Sequence, residues 1–332
     1  MYIKKENESF IKQLVKDSNR GYTQNAVLKP AKAMLIRAGI TGGLPFDSLT
    51  SDVVTGCLPE NMACYGMCFA AISSWRNGID FGKRVDNYLD EDIFNSDLRS
   101  LPDTQKYIRC GWNSDPSWNW SLSTRIAELA RDANLLMIFI TKAFRSIHDN
   151  IMQRLVAVRA EMRVSVSALD TNEQLKKRLE FIEQYRNAGG ITVPIVLTGF
   201  FKDITLMERQ ENIVNWMVKH DYPAAENSLR FPYDAKISEL IDQRMTRPLE
   251  KGDEFWSGRL YPDKLIFPTT TTIPENYQGI NNSHLSNLKL DDINKLFIDP
   301  VKTNQEVISS SSPLASPKMC GVSDTRRCAK TT

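Results

Sequence analysis

The chain has 332 residues, 42% hydrophobic and 25% charged, with 42 Lys and Arg against 40 Asp and Glu. Such a composition suits a globular protein with one large core or two modest ones, and a net charge of +2 makes no case for nucleic acid or a membrane surface. No apolar run reaches transmembrane length and residues 1–8 lack the apolar core of a signal peptide. The expectation is a cytoplasmic chain whose six cysteines serve as ligands or buried apolar groups in a reducing compartment.

Residues 1–50 read as an N-terminal extension. Residues 8–16 have helical spacing, with Phe10, Ile11, Leu14 and Val15 sharing a face, and Gly21 ends the run. Residues 31–38 are a second apolar stretch. Residues 39–45 are turn-rich; the Gly42-Gly43 pair lacks the Lys-Ser/Thr of a phosphate loop and reads as a plain turn. A β-like run, Asp52-Val53-Val54-Thr55, then leads into Gly56 and a loop that places Cys57, Cys64 and Cys68 within twelve residues. Residues 69–100 read as helical, with breaks at Asn77-Gly78 and near Asp90.

Residues 106–110 form the next strand, ending in the polar turn Gly111-Trp112-Asn113-Ser114-Asp115-Pro116. Ser121 or Ser123 is placed to cap a helix from about 124 to 134. Residues 135–140 are continuously apolar, as in a parallel sheet covered on both faces. A helix follows over 146–154 and an alternating strand over 161–167. A strong amphipathic helix spans 172–187, closed by Gly189-Gly190. Residues 191–198 form a strand in which Pro194 marks an edge or an irregularity. Residues 208–219 form a further helix. At least four strand–helix alternations between 52 and 220 argue for βα units and a parallel sheet. The segment is short of the roughly 250 residues of a full (β/α)8 barrel. It fits a partial barrel, with a doubly wound open sheet as the alternative. Prolines 232, 248, 262, 268 and 274 and four threonines at 269–272 mark residues 231–300 as an irregular C-terminal cap. Residues 301–332 are a Ser- and Pro-rich linker and a tail carrying Cys320 and Cys328.

Thiolates are soft ligands suited to iron–sulfur clusters, zinc or copper(I). A structural zinc site is closed by four protein ligands. Here a trio stands alone, and the three histidines, His148, His220 and His284, are single residues. The alternative is three unrelated buried cysteines. Three cysteines on a four-iron cluster leave one iron open, and in this the stretch resembles the radical S-adenosylmethionine (radical SAM) enzymes. The family spacing is Cys-x3-Cys-x2-Cys, whereas this chain has Cys57-x6-Cys64-x3-Cys68, with Tyr65 or Phe69 as the neighbouring aromatic.

The resemblance covers roughly residues 51–220. It implies a partial (β/α)6 TIM-like barrel over 51–230, with the cysteine loop after the first strand. It also implies a [4Fe-4S] cluster on Cys57, Cys64 and Cys68, SAM as cofactor, and a flavodoxin or ferredoxin as reductant. Residues Asn113, Ser114 and Asp115 match the turn that meets the SAM amino group; Asp115-Pro116 reads equally as a turn initiator. Ser165 and Ser167 share one side of their strand and match the polar contacts to the ribose or methionine part. Arg178 is the nearest basic residue for the SAM carboxylate, against a reading as solvated helix face with Lys176 and Lys177. No acid, base or hydrogen donor is assigned.

Trp112, Trp118 and Trp120 either close the barrel mouth or pack its rim. Cys110 reads as core. Cys320 and Cys328 are candidates for a second cluster or a redox pair. The aromatics Phe231, Tyr233, Phe255, Trp256, Tyr261 and Phe267 suggest a peptide substrate, as for maturases of ribosomally made peptides, assisted by a small leader-binding protein. The alternatives are a nucleic-acid substrate, as for DNA-lesion lyases, a small metabolite, or a non-enzymatic zinc-stabilised interaction module.

Overall fold

The computed structural model describes residues 1–20, 27–38, 51–57, 68–101, 107–111, 114–232, 236–248, 254–256 and 260–266. Cys64, Asn113, Trp112, Cys320 and Cys328 lie outside them, as do Tyr233 and Phe267.

Helix α1 (Lys5–Arg20) is followed by the short strands β1 (Lys29–Pro30) and β2 (Val54–Thr55), helix α2 (Phe69–Arg76), strands β3 (Ile79–Asp80) and β4 (Val85–Asp86), and helix α3 (Glu91–Ser100). Then come β5 (Tyr107–Cys110), α4 (Trp120–Asp132), β6 (Leu136–Thr141), α5 (Asp149–Ala157), β7 (Glu161–Ser167), α6 (Asn172–Asn187), β8 (Ile191–Thr192), β9 (Ile195–Thr198), α7 (Ile204–Lys219) and β10 (Ala225–Ser228). The short strands β11 (Arg230–Pro232), β12 (Arg247–Pro248) and β13 (Glu254–Trp256) make a separate antiparallel sheet.

The central sheet is parallel and curled into a half-barrel, with its strands in chain order: β5, β6, β7, β9, β10. A doubly wound sheet reverses its strand order at a switch point; this one does not. Alternating residues Ile108, Cys110, Met137, Phe139, Met162, Val164, Val166 and Val196 join one core with the inner faces of α4, α5, α6 and α7. All four helices therefore cover one face. Arg109, Glu161, Arg163, Ser165, Ser167, Ile195 and Leu197 are left on the other, concave face. Ser51 N donates to Arg109 O at 2.7 Å, so the run leading to Cys57 lies along the free edge of β5.

Several sequence expectations shift in detail. Residues 79–86 form β3, a turn and β4 in place of helix; Asp80 Oδ1 accepts from Gly82 N and shapes the turn. Helix α4 starts earlier than expected, because Asn119 accepts from Leu122 N as its cap, while Ser123 is buried and donates to Pro116 O. Helix α5 begins at Asp149, after His148. Pro194 sits inside the sheet. The register Met162↔Thr192 resumes unshifted at Ser165↔Ile195, so the missing N–H splits one strand into β8 and β9 without a bulge. Helix α6 has a capping box from Thr171 and Gln174 and closes through Gly189 at φ +91°.

The N-terminal helix is part of this body. Its Ile11 and Leu14, with Ile3, pack on Ala168, Leu169, Phe201, Leu229 and Ile241, which follow the carboxyl ends of β7, β9 and β10. Phe10, expected on that face, is 56% exposed. Arg209 fixes the segment: it donates to Met1 O at 2.8 Å, Ala168 O at 2.7 Å and Asp170 O at 2.6 Å. Asn172 adds a reciprocal pair with the backbone of Ile3. No helix among the described residues is long and apolar enough to cross a membrane.

Candidate functional site

In (β/α) barrels the loops at the carboxyl ends of the strands carry the chemistry, because each strand can place one side chain there on a rigid support. In this half-barrel that rim holds Asp115 and Trp118 after β5, Lys142 and Phe144 after β6, and Asp170 after β7. The strand before Cys57 is not the first strand of the barrel as expected: β2 pairs antiparallel with β4 in a separate two-stranded sheet, and Cys57 meets the rim through the Trp118 indole. Gly111 makes the turn after β5 possible. Its φ is +104°, and a Cβ there would meet Ile140 O at 2.0 Å.

Cys57 is buried and Cys68 half-buried. They belong to one small apolar cluster with Ala70, Ala71, Trp75 and Phe81, against which Trp118 and Phe144 pack. Gly56, at φ +84°, turns the chain so that Cys57 N donates to Phe81 O at 2.9 Å. Two members of the trio thus come to one cluster. The third, Cys64, lies outside the described residues, and no group of three metal-binding side chains occurs among them. The donor set, two soft thiols in an apolar setting, fits an iron–sulfur cluster or zinc and disfavours a hard cation.

Asp115 is 5% exposed and spends its carboxylate inside the chain. Oδ1 accepts from Ser117 N at 2.9 Å, Ser117 Oγ at 2.6 Å and Thr141 Oγ1 at 2.7 Å; Oδ2 accepts from Lys142 N at 2.7 Å. It caps the short 3-10 helix Pro116–Asn119 and ties the ends of β5 and β6 together. This is the turn-initiating role of Asp115-Pro116, with three donors on Oδ1 and one on Oδ2. Asp115→Asn turns an acceptor into a donor against a buried N–H or O–H. It is expected to cost about 1–3 kcal/mol, read as a lower urea midpoint. Wild-type stability with selectively weakened SAM binding would return Asp115 to the ligand.

Ser114 Oγ, by contrast, is buried without a hydrogen-bond partner among the described residues. Ser165 and Ser167 lie on one side of β7, as the alternation requires. Ser167 is fully buried and its Oγ accepts from Leu169 N at 3.1 Å, so it shapes the turn. Ser165 is 8% exposed and is the more accessible of the two.

Next to it lies an ionic cluster that sequence reasoning found only in part. Arg178 is 2% exposed, so it is no solvated face beside Lys176 and Lys177. It pairs with Asp170 Oδ1 and donates from Nε to Lys142 O at 2.9 Å. Lys142, whose side chain is 9% exposed, brings its Nζ to 3.6 Å from the same Asp170 oxygen. Asp170 Oδ2 accepts from Ser167 N at 2.9 Å. Burial alone raises the Asp170 carboxyl pKa, but the Arg178 and Lys142 charges outweigh it and hold it below the usual carboxylate range. Two buried cations share one carboxylate. Lys142 was visible in the sequence as the charged residue closing an apolar strand, a position that in βα folds points at the rim.

The tryptophans divide. Trp120 is core, stacked on Phe181 at 5.8 Å. Trp118 is at the rim, stacked on Phe144 at 5.0 Å. Cys110 is fully buried in the core, where burial first and Asp52 second push its thiol well above the ordinary range. Tyr261 is held within the fold, its hydroxyl accepting from Gln210 Nε2 at 3.2 Å.

No family model and no curated protein matches this chain.

Proposed function

We propose that this chain is a radical SAM enzyme whose cluster is held by Cys57, Cys64 and Cys68 at the carboxyl rim of the half-barrel. The observation that carries the reading is the convergence of Cys57 and Cys68 on one apolar cluster, at the rim of a parallel sheet whose strands run in chain order. When bound, a [4Fe-4S] cluster and SAM supply reductive cleavage of the sulfonium and a 5′-deoxyadenosyl radical for hydrogen abstraction.

The chain's own residues orient and enclose. Lys142 and Arg178 carry one positive charge beyond what Asp170 neutralises, which suits a carboxylate such as that of SAM. Ser165 on the concave face and the unpartnered Ser114 Oγ are hydroxyls available to a ligand's polar groups. Trp75 and Phe81, with Phe144 packed against them, give Cys57 an apolar setting.

For the substrate we retain a polypeptide, brought with a small accessory protein. The β11–β13–β12 sheet supports an open, irregular cap rather than strand addition, since both outer strands contain a proline, Pro232 and Pro248, that removes a donor from the edge. Anaerobic purification with iron, sulfide and zinc analysis tests the reading. About four irons with matching sulfide, and brown colour, is the expected result. Stoichiometric zinc in a colourless protein would assign the cysteines to a structural site.

A further inference from the structure

We propose that Trp118 is a positioning residue for the metal site: its indole N–H holds the Cys57 sulfur and raises the reduction potential of a cluster bound there. The inference rests on Cys57 being a cluster ligand. Trp118 Nε1 lies 3.3 Å from Cys57 Sγ and, as a nitrogen that can only donate, directs its hydrogen at the sulfur.

The indole is fixed from several sides. Its backbone N donates to Asp115 O at 3.3 Å within the 3-10 turn, and Asp115 is tied to Thr141 and Lys142, so the ring hangs from the ends of β5 and β6. Phe144 stacks on it with an interplanar angle of 15°. The Arg84 guanidinium lies 3.9 Å from the ring centroid, and that of Arg145 lies 5.6 Å away. A cation on the ring draws density from it, which makes the N–H a stronger donor. A hydrogen bond to a ligand sulfur favours the more negative, reduced state of a cluster; such contacts set cluster potentials. The path joins two strand ends to one sulfur through residues that are not ligands.

Trp118→Phe keeps an aromatic ring for Phe144 and Arg84 to meet and removes the N–H together with part of the indole's area. In the reconstituted full-length protein, iron and sulfide per chain should match wild type. The midpoint in an EPR-monitored redox titration should move to more negative potential. Arg84→Gln, which leaves the indole in place, should move it the same way by a smaller amount. Trp120→Phe, whose indole bonds Arg145 O at 3.0 Å, should leave it unchanged. An unmoved midpoint in Trp118→Phe, or loss of iron in a folded Trp118→Phe protein, would overturn the tuning role while leaving the cluster site standing. A wild-type protein without iron would overturn the site itself, and the role of Trp118 with it.

Discussion

Replacing Cys57, Cys64 or Cys68 by Ala should abolish SAM cleavage and most of the iron bound at the site. A cluster with three protein ligands has none to spare, and loss of one thiolate exposes a second iron to solvent. Cys110→Ala is the informative control. Its side chain is fully buried in the core, so the variant should keep its iron and lose only about 1–3 kcal/mol of stability through packing. Iron measured per chain by colorimetry, beside 5′-deoxyadenosine formed per hour, checks both. SAM cleavage that persists in the triple Ala variant would separate the cysteines from the activity.

Asp170→Asn should be the most destabilising single change at the rim. It leaves Arg178 and Lys142 buried with no counter-charge, a loss of about 3–5 kcal/mol, seen as a fall on the order of 10 °C in melting temperature. The pH dependence has a definite sign. The folded-state pKa of Asp170 is depressed, so its contribution is fully present above the unfolded carboxylate pKa of about 4. It is lost as pH falls through the lower folded value. Wild type should therefore lose stability below about pH 4 more steeply than Asp170→Asn. Parallel acid-unfolding curves for the two proteins would show that Asp170 is not ionised in the folded state.

The strands and helices of the half-barrel were legible because their signals are local. The alternation over 161–167 and the amphipathic pattern over 172–187 fall within one element each, and both elements have the expected bounds. The segment 79–86 was misread because it follows a helix and carries no strong period of its own; its strands exist through distant partners, Lys29-Pro30 and Val54-Thr55. Site residues divide the same way. Cys57 and Cys68 were visible from spacing. Arg178 was not, since a lysine pair beside it on the helix looks like a solvated face, and only the fold brings Asp170 and Lys142 against it. Asp115 was legible as a turn residue, while two of its four hydrogen bonds, those from Thr141 and Lys142, became visible only with β6 beside it.

The reconstituted protein, reduced with dithionite under anaerobic conditions and given SAM, is the direct assay. Wild type should give 5′-deoxyadenosine and methionine in equal amounts and Cys57→Ala neither. Intact SAM in a protein that carries a reduced four-iron cluster would rule out the radical SAM reading.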